Sequence, residues 1–160
     1  MQQYILSSFV SRRGGGNKAA VVFDDYGMSY QKMLELAKKN NFSETAFIDF
    51  SKSDGNKYYI RYFTPTEEVD ICGHAALASF QVLKQLGYLK DNIAYHRTKA
   101  GELKVLIEKE AILIQMKKPE DVMQLSKKII MEIIDVKENE IIANKNGMID
   151  VISTGLKDII

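Results

Sequence analysis

The chain has 160 residues, 46% of them hydrophobic and 27% charged, with a formal net charge of +1. This length suits one domain with a real core, and the near-neutral balance gives no electrostatic case for nucleic acid or a membrane surface as partner. A single cysteine has no disulfide partner within the chain and fits a reducing cytoplasm, no apolar run approaches transmembrane length, and the opening MQQYILSSFVSRR lacks the pattern of a signal peptide.

In chain order, Gln2–Val10 reads as a first strand. The loop Ser11–Lys18 holds Gly14, Gly15 and Gly16, which reach backbone angles closed to other residues. It lacks the Lys-Ser/Thr ending of a phosphate-binding loop and reads as a flexible turn. Ala19–Phe23 is a short apolar strand. Ser29 is a candidate N-cap for a helix over Tyr30–Asn40, with Met33, Leu34 and Ala37 on one face. Thr45–Phe50 reads as a strand with Glu44 at its mouth. A turn over Ser51–Lys57 leads to a second strand, Tyr58–Phe63, making a hairpin.

The stretch from Arg61 to Gly87 changes period midway. Arg61–Pro65 and Val69–Cys72 look like strand ends around a turn at Pro65-Thr66-Glu67. From Gly73 the pattern is helical: Ala75, Ala76, Leu77, Ala78, Phe80, Val82, Leu83 and Leu86 cover nearly every face. A helix apolar all round is buried, and this one stops at Gly87. Further on, Asn92–Thr98 is a strand whose His96 reads as a surface or partly buried residue without a role. Leu103–Glu108 and Ala111–Met116 form a hairpin, and Pro119 breaks the ladder. Ser126–Val136 has helical spacing with Ile129, Ile130, Ile133 and Ile134 as its core face. Lys137–Glu140 is a solvated end, and Glu140–Asn144 and Met148–Ile152 read as strands around a turn.

Chemistry concentrates at the start of the apolar helix. Gly73 and His74 occupy a first turn whose unpaired N–H groups and positive dipole end favour a carboxylate, a phosphate or a developing anion. Cys72 lies just before it, where a thiol pKa could be lowered. The plainer readings are a small buried hydrophobe for Cys72, a structural hydrogen-bonding group for His74 and a solvated carboxylate for Glu44.

Three ordered pieces, GGGNKAAVVF with the later FSETAF, then FTPTEEVDICGHAALAS, and finally VISTGLKDII, resemble the phenazine-biosynthesis PhzF-like family. The likeness covers the N-terminal half of a family member. It implies an α+β fold of the diaminopimelate-epimerase-like kind. Each half of that fold is a strongly curved, mostly antiparallel, barrel-like sheet around one buried central helix. Residues 1–160 would then be a single N-terminal domain, with the second family domain absent. Where the family has Asn-Pro, this chain has Asn17-Lys18, which removes a fixed dihedral from the loop.

The resemblance implies cofactor-free isomerisation or epimerisation of a small-molecule substrate, with no metal. Glu44 falls on the family's catalytic glutamate. Phe42, Phe47 and the buried helix would wall it and raise its pKa towards the operating pH. His74 and the Gly73 amide would hold a substrate carboxylate or the developing anion. Asp70 and Thr64 are neighbours without an assigned role. In the epimerase branch a cysteine in this neighbourhood moves the proton, so Cys72 stands as the alternative acid/base. The cleft's other wall would come from a homodimer or a separate second-half chain. The competing class is a non-catalytic small-molecule-binding or interaction domain, left by truncation of such an enzyme.

Overall fold

The computed structural model describes residues 2–153 and 157–159. They fall into two compact units that divide after Gln115. In the first unit, strands β1 (Gln2–Ser8) and β2 (Asn17–Asp24) form an antiparallel hairpin. The expected strand to Val10 stops at Ser8 because Phe9 takes a φ of 58°, outside the extended region. Gly16 closes the hairpin at a φ of 86°, where a Cβ would meet the Ser8 carbonyl oxygen at 2.6 Å. The glycine is needed there by steric contact as well as by angle.

Helix α1 (Tyr30–Asn40) begins where the N-cap signal places it. The Ser29 hydroxyl accepts from the Lys32 N–H, and Asn41 ends the helix in the left-handed region. The chain continues through β3 (Glu44–Asp54), β4 (Lys57–Phe63), the two-residue β5 (Glu68–Val69), α2 (Gly73–Gln85), β6 (Ile93–Thr98), β7 (Gly101–Ile107) and β8 (Ile112–Ile114). The strand expected over Val69–Cys72 is shorter and earlier: only Glu68 and Val69 pair, with β4.

The sheet order is β1-β2-β3-β4-β6-β7-β8, with β5 on β4. It is a mixed sheet. β2 and β3 run parallel, as do β4 and β6, and the other pairings are antiparallel. Each parallel pair is joined through a helix, α1 in one case and α2 in the other, because a parallel crossover needs a long connection. α2 packs on β1, β2 and β3 and also on β8 at the far end of the order, so the sheet curls around one side of it.

Strand alternation sorts the core into two clusters. Val21, Phe23, Ala46, Ile48, Ile60 and Tyr62 lie with Ala75, Phe80 and Leu83 of α2. Val22, Phe47 and Phe63 lie with Met33 and Ala37 of α1. His96, expected at or near the surface, is fully buried. It accepts or donates at Nε2 to the Tyr62 hydroxyl at 2.6 Å and meets the Phe80 ring edge-on. The β6 alternation that buries Ala94 and Thr98 carries His96 inward with them.

The second unit holds β9 (Glu120–Ser126), α3 (Lys127–Ile133), a 3₁₀ turn over Glu138–Glu140, β10 (Met148–Ser153) and β11 (Lys157–Ile159), in the sheet order β11-β10-β9. The Ser126 hydroxyl caps α3. Of the expected core face only Ile130 is buried, while Ile129, Ile133 and Ile134 are exposed. Ile134 already has extended angles, so the helix ends before the apolar stripe completes a second layer. Strand β9 is absent from the sequence expectation because most of it faces water and shows no alternation. No strand forms over Glu140–Asn144: the segment is irregular after the 3₁₀ turn, and the Asn144 side chain accepts from the N–H groups of Asn146 and Met148 across the turn that follows, a local bond that competes with extended pairing. The VISTGLKDII motif lies partly outside the described residues, at positions 154–156 and 160.

Candidate active site

Register brings the site together. Ser8 pairs with Asn17 across the hairpin. The parallel pairing of Ala19 with Glu44 puts the starts of β2 and β3 at the same end of the sheet. The start of α2 reaches that end too, and the Ser8 hydroxyl donates to the carbonyl of His74 at 2.7 Å. Residues far apart in sequence, Asn17, Ser43, Glu44, Cys72 and His74, thereby share one corner.

The His74 imidazole, nine-tenths buried, is the hub. Its Nε2 lies 3.2 Å from Glu44 Oε2 and 3.3 Å from Ser43 Oγ. Its Nδ1 lies 3.2 Å from Cys72 Sγ and 3.3 Å from Asn17 Nδ2. The Ser43 hydroxyl in turn donates to Asn17 Oδ1 at 3.1 Å. Glu44 Oε2 is shielded from solvent and has no fully formed hydrogen bond; its contact with His74 is an electrostatic approach at 3.2 Å rather than a well-aligned bond.

The expected walls of Glu44 are only partly those observed. Phe47 lies three residues along β3 and turns to the α1 face, among Val22, Met33 and Phe63, because side chains alternate across a sheet. Glu44 is enclosed instead by His74, Ser43 and Cys72.

Cys72 departs from expectation as well. Burial pushes its thiol up to about 12, with the N–H groups of Ala75 and His74 opposing and the neighbouring Glu44 adding to the rise. The helix-start effect that would lower a thiol loses to desolvation beside a carboxylate. Behind it lies Tyr62, whose phenol burial raises well above its usual range, with Cys72 contributing.

Gly73 opens α2, whose N-cap Cys72 makes no side-chain capping bond. A Cβ built on Gly73 would meet no atom within 4 Å, so the helix opens beside free space at that residue. Thr64 serves the preceding turn, its hydroxyl accepting from the N–H groups of Thr66 and Glu67. Asp70 is exposed.

One ligand atom each from Glu44, Cys72 and His74 lies within 4.8 Å of the others, a donor set of the kind that holds zinc. Such an ion would need the thiol deprotonated, against the direction burial drives it. Among the described residues the cluster is a hydrogen-bonded one. Ser8 carried no sequence signal for this role, and Ser43 was marked only by lying in the FSETAF motif. Asn17 stood out as the residue after three glycines and, by resemblance, as the Asn of the family's Asn-Pro, with no role attached.

The fold and corner define an α+β protein whose helix start and strand start share a carboxylate–imidazole–thiol cluster. The family model described as phenazine biosynthesis-like protein matches residues 6–160, and the chain belongs to that family. It is 39% identical over 107 residues to an uncharacterized isomerase of Clostridium acetobutylicum, covering 67% of this chain and 35% of that one. It is 40% identical over 108 residues to the uncharacterized isomerase YddE of Escherichia coli strain K12, covering 68% and 36%. A PhzF-family structure from Bacillus anthracis aligns with TM-score 0.72 at 26% identity, over 99% of this chain and 55% of that one. A predicted epimerase from Pseudomonas aeruginosa aligns with TM-score 0.78 at 19% identity, over 97% and 56%, a likeness of fold. The matches thus span 35% and 36% of those two curated relatives and 55% and 56% of those two solved ones.

Proposed function

We propose that this chain supplies one wall of a cofactor-independent isomerase or epimerase centre acting on a small carboxylate-bearing metabolite in the cytoplasm. The observation that carries the reading is the Glu44 carboxylate held 3.2 Å from the His74 ring beside an uncapped helix start. In this reading Glu44 takes a proton from a carbon next to the substrate's activating group. The electron pair moves into that group, and Glu44 returns the proton to complete the isomerisation. The N–H groups of Gly73 and His74 hold the substrate carboxylate or the developing anion. The imidazole itself, with both nitrogens already partnered, walls one side of Glu44. Cys72 lines the site as a neutral thiol.

Residues 1–160 correspond, in this reading, to the N-terminal half of the fold. The opposite wall comes from a separate second-half chain or from a second copy in a homodimer. Light scattering separates monomer from dimer.

The test is proton exchange in deuterated buffer, followed by NMR over a panel of small amino and hydroxy acids. Wild type exchanges the carbon-bound proton of its substrate, and Glu44→Gln abolishes this while keeping the fold. Gly73→Ala also folds, since its methyl meets nothing, but it fills the anion position and lowers exchange. Exchange that survives Glu44→Gln removes Glu44 as the base. Ligand-dependent stabilisation that His74→Ala weakens, without any exchange, instead identifies a binding domain.

A further inference from the structure

We propose that Asn17 and Ser43 are positioning residues that hold His74 as a neutral imidazole with its proton on Nε2, the nitrogen that neighbours Glu44. The argument is a count of donors. The Ser43 hydroxyl has one proton, and it goes to Asn17 Oδ1 at 3.1 Å. Ser43 Oγ, 3.3 Å from His74 Nε2, can therefore only accept there, so Nε2 carries hydrogen. Asn17 Nδ2 only donates, and it lies 3.3 Å from Nδ1, so Nδ1 offers a lone pair. The Cys72 sulfur lies 3.2 Å from the same nitrogen. Asn17, Ser43 and His74 close a ring of three donor–acceptor contacts.

The reverse orientation of the Asn17 amide would put its oxygen at Nδ1 and force the proton there. Nε2 would then present a lone pair to Glu44 Oε2 at 3.2 Å, two acceptors facing each other. The orientation drawn above removes that repulsion, because Nε2 then carries a hydrogen, shared with Ser43 Oγ, beside the carboxylate.

The chemical consequence rests on the reading of Glu44 as the proton carrier. A neutral imidazole brings no positive charge to the side of Glu44, and hydrogen on Nε2 keeps a lone pair from facing the carboxylate. Asn17 and Ser43 belong to two different strand starts, and the parallel register of β2 and β3 is what brings them to one ring. Gly16 lets the hairpin close on Ser8 and so sets where Asn17 begins.

The test reads the tautomer directly, without needing a substrate. A long-range proton–nitrogen correlation spectrum of the ¹⁵N-labelled full chain identifies which His74 nitrogen bears the proton. His96 is the internal reference, and circular dichroism reports the fold. Wild type shows Nε2–H as the major form. Asn17→Ala shifts the tautomer ratio towards Nδ1–H by about fivefold, the effect of one ordinary hydrogen bond. Asn17→Asp, whose carboxylate only accepts, moves the proton to Nδ1 outright or yields the imidazolium. Ser43→Ala gives a shift like Asn17→Ala, and Ser43→Thr restores the wild-type ratio. Nδ1–H as the major wild-type form overturns the proposal, as does an unchanged tautomer in folded Asn17→Ala and Ser43→Ala. If the Asn17 variants fail to fold, the wild-type spectrum and the Ser43 pair still decide. Absence of proton exchange in the wild type would count against the Glu44 reading alone, and an unexpected tautomer would count against this proposal alone.

Discussion

The buried Tyr62–His96 pair makes acid sensitivity a measurable property of the fold. Burial lowers the His96 pKa from 6.5 to about 3. The folded protein therefore binds fewer protons than the unfolded chain between those values. Stability from this group is fully present above the unfolded pKa and falls as pH drops towards the folded one. The slope is about 1.4 kcal/mol per pH unit, which integrates to about 2 kcal/mol between about pH 7 and about pH 5. Two carboxylates also lose stability in acid. Asp49, desolvated but held by Ser51 and Lys52, and Glu68, desolvated but held by Arg61 and Lys99, both sit below their ordinary 3.8 and 4.5. Their contributions are lost lower down, so the interval above pH 5 isolates the histidine.

The control is His96→Phe. It removes the titrating group and leaves the Tyr62 hydroxyl without its partner, a pH-independent cost of about 1–3 kcal/mol. Urea unfolding followed by circular dichroism and tyrosine fluorescence, at both pH values, measures the difference. Wild type loses about 2 kcal/mol more than His96→Phe on going from about pH 7 to about pH 5. Equal losses in the two proteins, within about 0.5 kcal/mol, would refute the reasoning. His74 is present in both proteins and cancels.

Two further outcomes follow from the same geometry. Cys72, with its thiol pushed up to about 12, reacts with a thiol reagent at neutral pH at least about a thousandfold more slowly than a free cysteine; urea restores ordinary reactivity, and a native rate within about tenfold of free cysteine would contradict the burial argument. Glu68, with its side chain 3% exposed, is gripped by Arg61 at 2.7 and 2.8 Å and by Lys99 at 2.7 Å. Glu68→Gln leaves the Arg61 charge without compensation and costs about 2–4 kcal/mol in urea unfolding. Lys99→Ala, at an exposed end of the same network, costs less than about 1 kcal/mol, and the reverse ranking would overturn this account.

Local signals explain which parts of the fold were legible. Helix α1 was readable at both ends, because Ser29 offers a side-chain oxygen to Lys32 and Asn41 accepts a left-handed backbone. The start of α2 at Gly73 was readable from the change in period. The unreadable parts lacked a local cause. Strand β9 is largely exposed and shows no alternation. The isoleucines of α3 match a helical stripe, but the chain leaves the helix at Ile134, and three of the four face water. The position of His96 could not be inferred from its neighbours, because which face of β6 points inward depends on how the sheet wraps.

The candidate site divides in the same way. The sequence by itself determined that a carboxylate lies at a strand mouth and that a Cys-Gly-His run opens an apolar helix. Those are matters of spacing, and they place Glu44, Cys72, Gly73 and His74 on their elements. Only the tertiary structure decided that these groups meet, because their contact depends on the parallel register of Ala19 with Glu44 and on where α2 crosses the sheet. It also decided that Phe47 turns away, that Asn17 and Ser43 join the imidazole, and that burial overrides the helix start at Cys72. Hydrogen bonds and desolvation act through space over a few ångströms, and linear spacing does not encode which distant residues arrive within that range.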